Sequence, residues 1–99
     1  MPWTLSGALP AGEYHLLIQG YQPTMDAVVR ADLIHGSRTV GTTTASANAG
    51  VDGGFPGDFT TTIEGEAVTP NCGDQLVLVL TLVSGGSPYN NIEAVLTTP

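Results

Sequence analysis

Asp26-Ala27-Val28-Val29-Arg30-Ala31-Asp32-Leu33-Ile34-His35-Gly36-Ser37-Arg38-Thr39-Val40 decides the fold class. Ala27, Val29, Ala31 and Leu33 alternate with Val28, Arg30 and Asp32, the period-2 pattern of a strand that buries one face. Arg30 and Asp32 then point to the opposite side. Gly36-Ser37 follows at once and suits a two-residue II′ hairpin turn, because Gly takes a positive φ at the first central position without steric cost. That turn sets His35 opposite Arg38, Leu33 opposite Val40 and Val29 opposite Thr44.

Upstream, Leu9-Pro10-Ala11-Gly12 reads as a turn that releases Tyr14, Leu16 and Ile18 onto one face of a strand, ended by Gly20 and Pro23. Downstream, Ala45 to Gly57 is rich in Gly, Ala, Ser and Asn and has little periodicity, so a long loop is expected there. Phe59, Thr61 and Ile63 share one face of the next strand, Glu66 to Thr69 reads as a short one, and Pro70 to Asp74 as a turn containing Cys72.

Leu76 to Val83 is apolar on both faces: Leu76, Leu78, Leu80 and Leu82 on one side, Val77, Val79 and Val83 on the other. A strand buried on both sides reads this way, as does one whose outer face is covered by a partner or by the segment from Met1 to Leu9. Ser84 to Asn90 is expected to turn the chain back as a hairpin. In the last strand Ile92, Ala94 and Leu96 face one way and Glu93, Val95 and Thr97 the other, so that Val95 extends the Val stripe. Gly, Pro and Thr interrupt every window long enough for an amphipathic helix. The fold expected is therefore all-β, a two-sheet antiparallel sandwich of Greek-key or jelly-roll type with about seven to eight strands.

Composition bounds the rest. The 99 residues suit one domain, 1–99, with one core, and 41% hydrophobic against 11% charged residues is a folded composition. Two Arg, no Lys and nine acids give a net charge of −7, which repels phosphate backbones and anionic lipid and argues against nucleic-acid and membrane partners. Cys72 is the only cysteine, so an intrachain disulfide is excluded. The longest apolar stretch falls far short of the roughly 20 residues that span a bilayer, and no pattern of an export signal is present.

Catalytic residues are scarce. His15 and His35 are the only imidazoles, and neither stands in a nucleophile, metalloprotease or phosphate-loop motif. His15 has solvent-side parity and His35 flanks the hairpin, so a non-enzymatic role is expected. Asp52, Asp58 and Asp74 offer loop carboxylates of the kind calcium takes, but they do not follow the EF-hand spacing, and Asp serves turns equally well.

Tyr21, Phe55 and Tyr89 lie in turn or loop contexts beside Asn90 and other amides and acids. Such rings stack on sugars while the polar groups take hydroxyls; the competing role for each is to plug an end of the sandwich.

The string Leu9-Pro10-Ala11-Gly12-Glu13-Tyr14 resembles the start of a strand common in small extracellular β-sandwich modules of bacterial secreted proteins, carbohydrate-binding modules among them. The resemblance implies a fold and an extracellular or particle-surface setting, and it assigns no functional residue. Two roles follow. One is a binding module that takes a glycan or protein surface through Tyr21, Phe55, Tyr89 and Asn90. The other is a structural subunit of a shell, filament or capsid-decoration type, whose homo-oligomer or neighbouring-domain contacts run through Val77, Val79, Val83 and Val95.

Overall fold

The computed structural model describes residues 2–19, 26–47, 59–85 and 92–99. They form seven strands: β1 (Pro2–Thr4), β2 (Gly12–Gln19), β3 (Ala27–His35), β4 (Arg38–Ala47), β5 (Phe59–Gly65), β6 (Gln75–Gly85) and β7 (Glu93–Thr97). A four-stranded sheet in the order β1-β6-β3-β4 packs on a three-stranded sheet in the order β5-β2-β7, with every pairing antiparallel. The all-β sandwich expected from the alternation is what forms.

Alternation decides which side of each strand is core. Ala27, Val29, Ala31 and Leu33 of β3 are buried, as are Leu16 and Ile18 of β2, Ile63 of β5 and Leu76 and Leu78 of β6. They meet as one cluster between the sheets, with Phe59, Leu80, Ala94 and Leu96 packed against it. Fully burying each Leu, Ile or Val contributes about 1.5–3 kcal/mol, so this interior is the main source of stability.

The chain changes sheet at every connection except the β3–β4 hairpin. β7 therefore does not fold back on β6 as the Gly/Ser-rich stretch suggested. It lies beside β2, with Leu96 opposite Leu16 and Ala94 opposite Ile18, because those apolar positions complete the inner face of the second sheet. β1 was not legible as a strand; it pairs along β6, Trp3 opposite Leu76, and makes β6 an interior strand. Glu66 to Thr69 is no strand either; Val68 makes an isolated bridge with Leu9. β4 also runs on to Ala47, taking up residues expected in the loop.

Two bulges adjust the hairpin and its neighbour. Gly36 adopts φ 64°, and His35 faces Arg38 as expected. Beyond that, Leu33 faces Gly41 rather than Val40, and Val29 faces Ala45 rather than Thr44. The extra residue turns Gly41, Thr43 and Ala45 inward and leaves Thr42, Thr44 and Ser46 exposed. Gly41 suits the inner position: a Cβ there would stand 2.6 Å from Ile63 Cγ2 on the facing sheet. On the other flank Val28 faces Ser84 and Val29 faces Leu82, so Val83 sits in a bulge without a Cα partner.

The Leu9–Tyr14 string acquires a physical role in this setting. Leu9 and Val68 exchange two backbone hydrogen bonds of 2.9 Å, and the Tyr14 hydroxyl donates to the Pro10 carbonyl at 2.6 Å, locking the corner that leads into β2. This is the hydrogen bond of a tyrosine corner, in which a buried ring ties back to backbone a few residues upstream.

Candidate functional site

The outer face of the four-stranded sheet is built from side chains at alternate positions. Across β1, β6, β3 and β4 one row reads Pro2, Val77, Ile34, Thr39; the next is Val79, Asp32, Thr42; a third is Thr81, Arg30, Thr44. Val77 is half-buried between Pro2 and Ile34, whereas Val79 remains 39% exposed and Val83, in its bulge, 57%. β1 adds to the edge of the sheet and does not cover the stripe, so the outer valines are only partly shielded.

The polar part of this face is ordered by Asp32. Arg30 Nε donates to Asp32 Oδ2 at 3.1 Å from two positions along the same strand face, and Thr42 Oγ1 donates to Oδ1 at 2.6 Å from directly across the ladder. Both carboxylate oxygens are thereby engaged.

Val95 does not belong to the stripe. It lies on β7, opposite Leu17 of β2, on the outer face of the other sheet and 49% exposed. The sheet change between β6 and β7 puts the full thickness of the sandwich between Val95 and Val79. The face it joins is acidic: Glu13 stands directly opposite Glu64, Glu93 flanks Gln19, and His15 Nε2 lies 3.7 Å from Glu13 Oε1.

At the end of the sandwich nearest the β3–β4 turn, Asp74 is the hub. Its Oδ2 accepts from the Asn71 backbone N–H at 2.9 Å and meets His35 Nε2 at 2.9 Å, while its own carbonyl accepts from the Leu5 N–H at 2.9 Å. The Asn71 N–H, then the His35 hydrogen bond, hold the Asp74 carboxyl below the usual carboxylate range. An ion pair, Arg38 to Glu66 at 2.9 Å, ties this end of β4 to the segment after β5. Beside it is an open hollow of 420 Å³ bounded by Leu5, Ala8, Pro70 and the exposed Cys72. Around the corner Trp3, Leu5, Leu9, Leu76 and Leu96 line an apolar cleft of 220 Å³ between the edges of the two sheets. Trp3 thus borders the core at an edge.

Of the residues singled out from sequence, Tyr21, Phe55, Tyr89, Asn90, Asp52 and Asp58 lie outside the described residues. Asp74, the remaining calcium candidate, is committed to His35 and Asn71, and among the described residues no three His, Cys, Asp or Glu side chains gather into a metal site. The Arg30–Asp32–Thr42 and His35–Asp74 pairings were not anticipated. The first was open to reading once Arg30 and Asp32 shared a face; the second joins residues 39 apart in sequence and carried no local signal. Comparison with protein-family models, curated proteins and solved structures finds no match.

Proposed function

We propose that this domain is a non-enzymatic binding module of an exported bacterial protein, which takes a glycan at one end of the sandwich through Tyr21, Phe55 and Tyr89, with Asn90 serving the sugar hydroxyls. The observation that supports this reading is where the described strands stop. Ile18 is opposite Phe59, Gln19 opposite Glu93, and Ala27 opposite both Ala47 and Gly85, so six strand termini gather by register into one end of each sheet.

The two sheets agree about which end this is. The Glu66 N–H donates to the Val40 carbonyl at 2.8 Å, and Ala47 and Phe59 each lie seven residues from that bonded pair. At about 3.3 Å per residue both termini stand about 23 Å along the sandwich from it. Segments 20–25, 48–58 and 86–91 are therefore attached to a common end, and each contains one of the three aromatics. A rigid two-sheet scaffold with several connections at one end is the arrangement in which connecting segments carry recognition.

Stacking of a ring on the apolar face of a sugar removes apolar surface from water at about 25 cal/mol per Å², so three rings suffice for a selective but moderate affinity. The test is a screen of soluble and immobilised polysaccharides by calorimetry and retention, repeated with Tyr21→Ala, Phe55→Ala and Tyr89→Ala. Each substitution is expected to weaken binding about tenfold with the melting temperature preserved. Undiminished binding by the folded triple variant would refute the assignment.

A further inference from the structure

We propose that the outer face of the β1-β6-β3-β4 sheet is a self-association surface, on which a second copy of this chain docks face to face about a two-fold axis. Charge selects this occupant. The chain carries −7 overall, yet the only charged side chains that residues within β1, β6, β3 and β4 present on this face are Arg30 and Asp32, 3.1 Å apart and mutually neutralising. The opposite face carries Glu13, Glu64 and Glu93. Two copies of so acidic a chain repel one another in every approach that presents acidic surfaces, and the neutral sheet face is where that repulsion is least.

The same pair makes the face self-complementary. Asp32 engages Arg30 through Nε at 3.1 Å, and the Arg30 side chain remains 51% exposed, so its guanidinium is within reach of a facing copy. In an isologous interface this guanidinium is offered to a carboxylate or hydroxyl of the partner, and the partner's guanidinium returns the contact. Around them Val79 and Ile34 supply apolar contact, and Thr42, Thr44 and Thr81 are short enough for sheets to approach to about 10 Å.

Area sets the strength. Strands of 3, 11, 9 and 10 residues, each residue about 3.3 Å long and the strands about 4.8 Å apart, present roughly 520 Å² in projection. This falls below the approximately 800 Å² per partner of a standard stable interface, so the dimer is weak and visible only at high concentration.

Sedimentation equilibrium of the full chain from about ten micromolar to about one millimolar tests this. The expected result is a reversible rise in mass from 10.2 kDa towards twice that value, strengthened by salt because screening relieves the net repulsion. Val79→Glu adds one charge on each side of a two-fold interface, so a tenfold effect per copy raises the dimer Kd about a hundredfold. Arg30→Glu, at an exposed position, acts in the same direction and provides the same readout should Val79→Glu fail to fold. Val95→Glu, on the other face, leaves the mass curve unchanged. A monomer throughout the range at every salt concentration overturns the proposal. So does a dimer that resists Val79→Glu and Arg30→Glu in folded protein, or one abolished by Val95→Glu. Glycan binding measured on the same variants reports separately on the strand-end surface.

Discussion

Tyr14→Phe removes a single oxygen from the corner before β2, and the structure fixes where the loss falls. The ring is buried and sits against Gly65, where a Cβ would come within 2.7 Å of Tyr14 Cε1, while the hydroxyl donates to Pro10 at 2.6 Å. Phe keeps the ring contacts and loses only the hydrogen bond. A net hydrogen bond is worth about 1 kcal/mol, rising towards 3 where the abandoned partner is dry, and Pro10 is exposed enough for water to take its carbonyl. The cost is therefore expected near about 1 kcal/mol, a fall in Tm of roughly 4–8 °C for a domain of this size. Tyr14→Ala removes the ring as well and costs about 3–5 kcal/mol, a large part of a total of about 5–15.

The alkaline limb gives an independent reading of the same site. Burial pushes the Tyr14 phenol above its ordinary value, so its contribution is present below the unfolded pKa and is lost as pH rises through the folded one. Urea melts followed by circular dichroism, at neutral pH and above pH about 10, measure both effects. The Phe variant should be less stable at neutral pH and lose less stability in alkali than the parent. Equal stability at neutral pH together with an unchanged alkaline slope would refute the account of this corner.

Gly41→Ala forces a Cβ to within 2.6 Å of Ile63 Cγ2 and 3.2 Å of the Glu64 carbonyl, and should cost about 1–3 kcal/mol in chemical denaturation. Glu64→Lys replaces a like-charge cross-strand pair with an attractive one opposite Glu13 and should stabilise by about 0.2–1 kcal/mol, an effect that shrinks with added salt. Asp74→Asn should destabilise the domain at neutral pH. Because the folded Asp74 carboxyl lies below its ordinary value, its contribution is present above the unfolded pKa and disappears as pH falls through the folded one, so parent and variant melts should converge in acid.

Residues whose environment is set by their own strand were legible. Alternation over Ala27–Leu33 and Tyr14–Ile18 gave the correct inward faces, since side-chain direction within a strand follows from backbone geometry alone, and Gly36-Ser37 marked the place of the two-residue turn. What failed depends on contacts between distant segments. The bulge that shifts β4 is fitted to Ile63, 22 positions beyond Gly41. Val95 was assigned to the wrong face because Gly/Ser-rich sequence signals a turn equally for a hairpin and for a crossing between sheets. β1, three residues long with a proline, is too short for periodicity to register and exists through its pairing with Leu76. Of the candidate surfaces, the apolar half of the Val77–Val79 face could be read from sequence; its neutrality could not, because that depends on which strands share the sheet.

The binding reading makes its sharpest claim about location, and amide chemical-shift mapping tests location directly. A labelled domain titrated with the polysaccharide that it retains should show its largest shifts in the segments 20–25, 48–58 and 86–91 and in the flanking amides of Gln19, Phe59 and Glu93. Shifts concentrated instead on Gly36, Asn71 and Gly73 at the opposite end, or on the Val79 face, would contradict it.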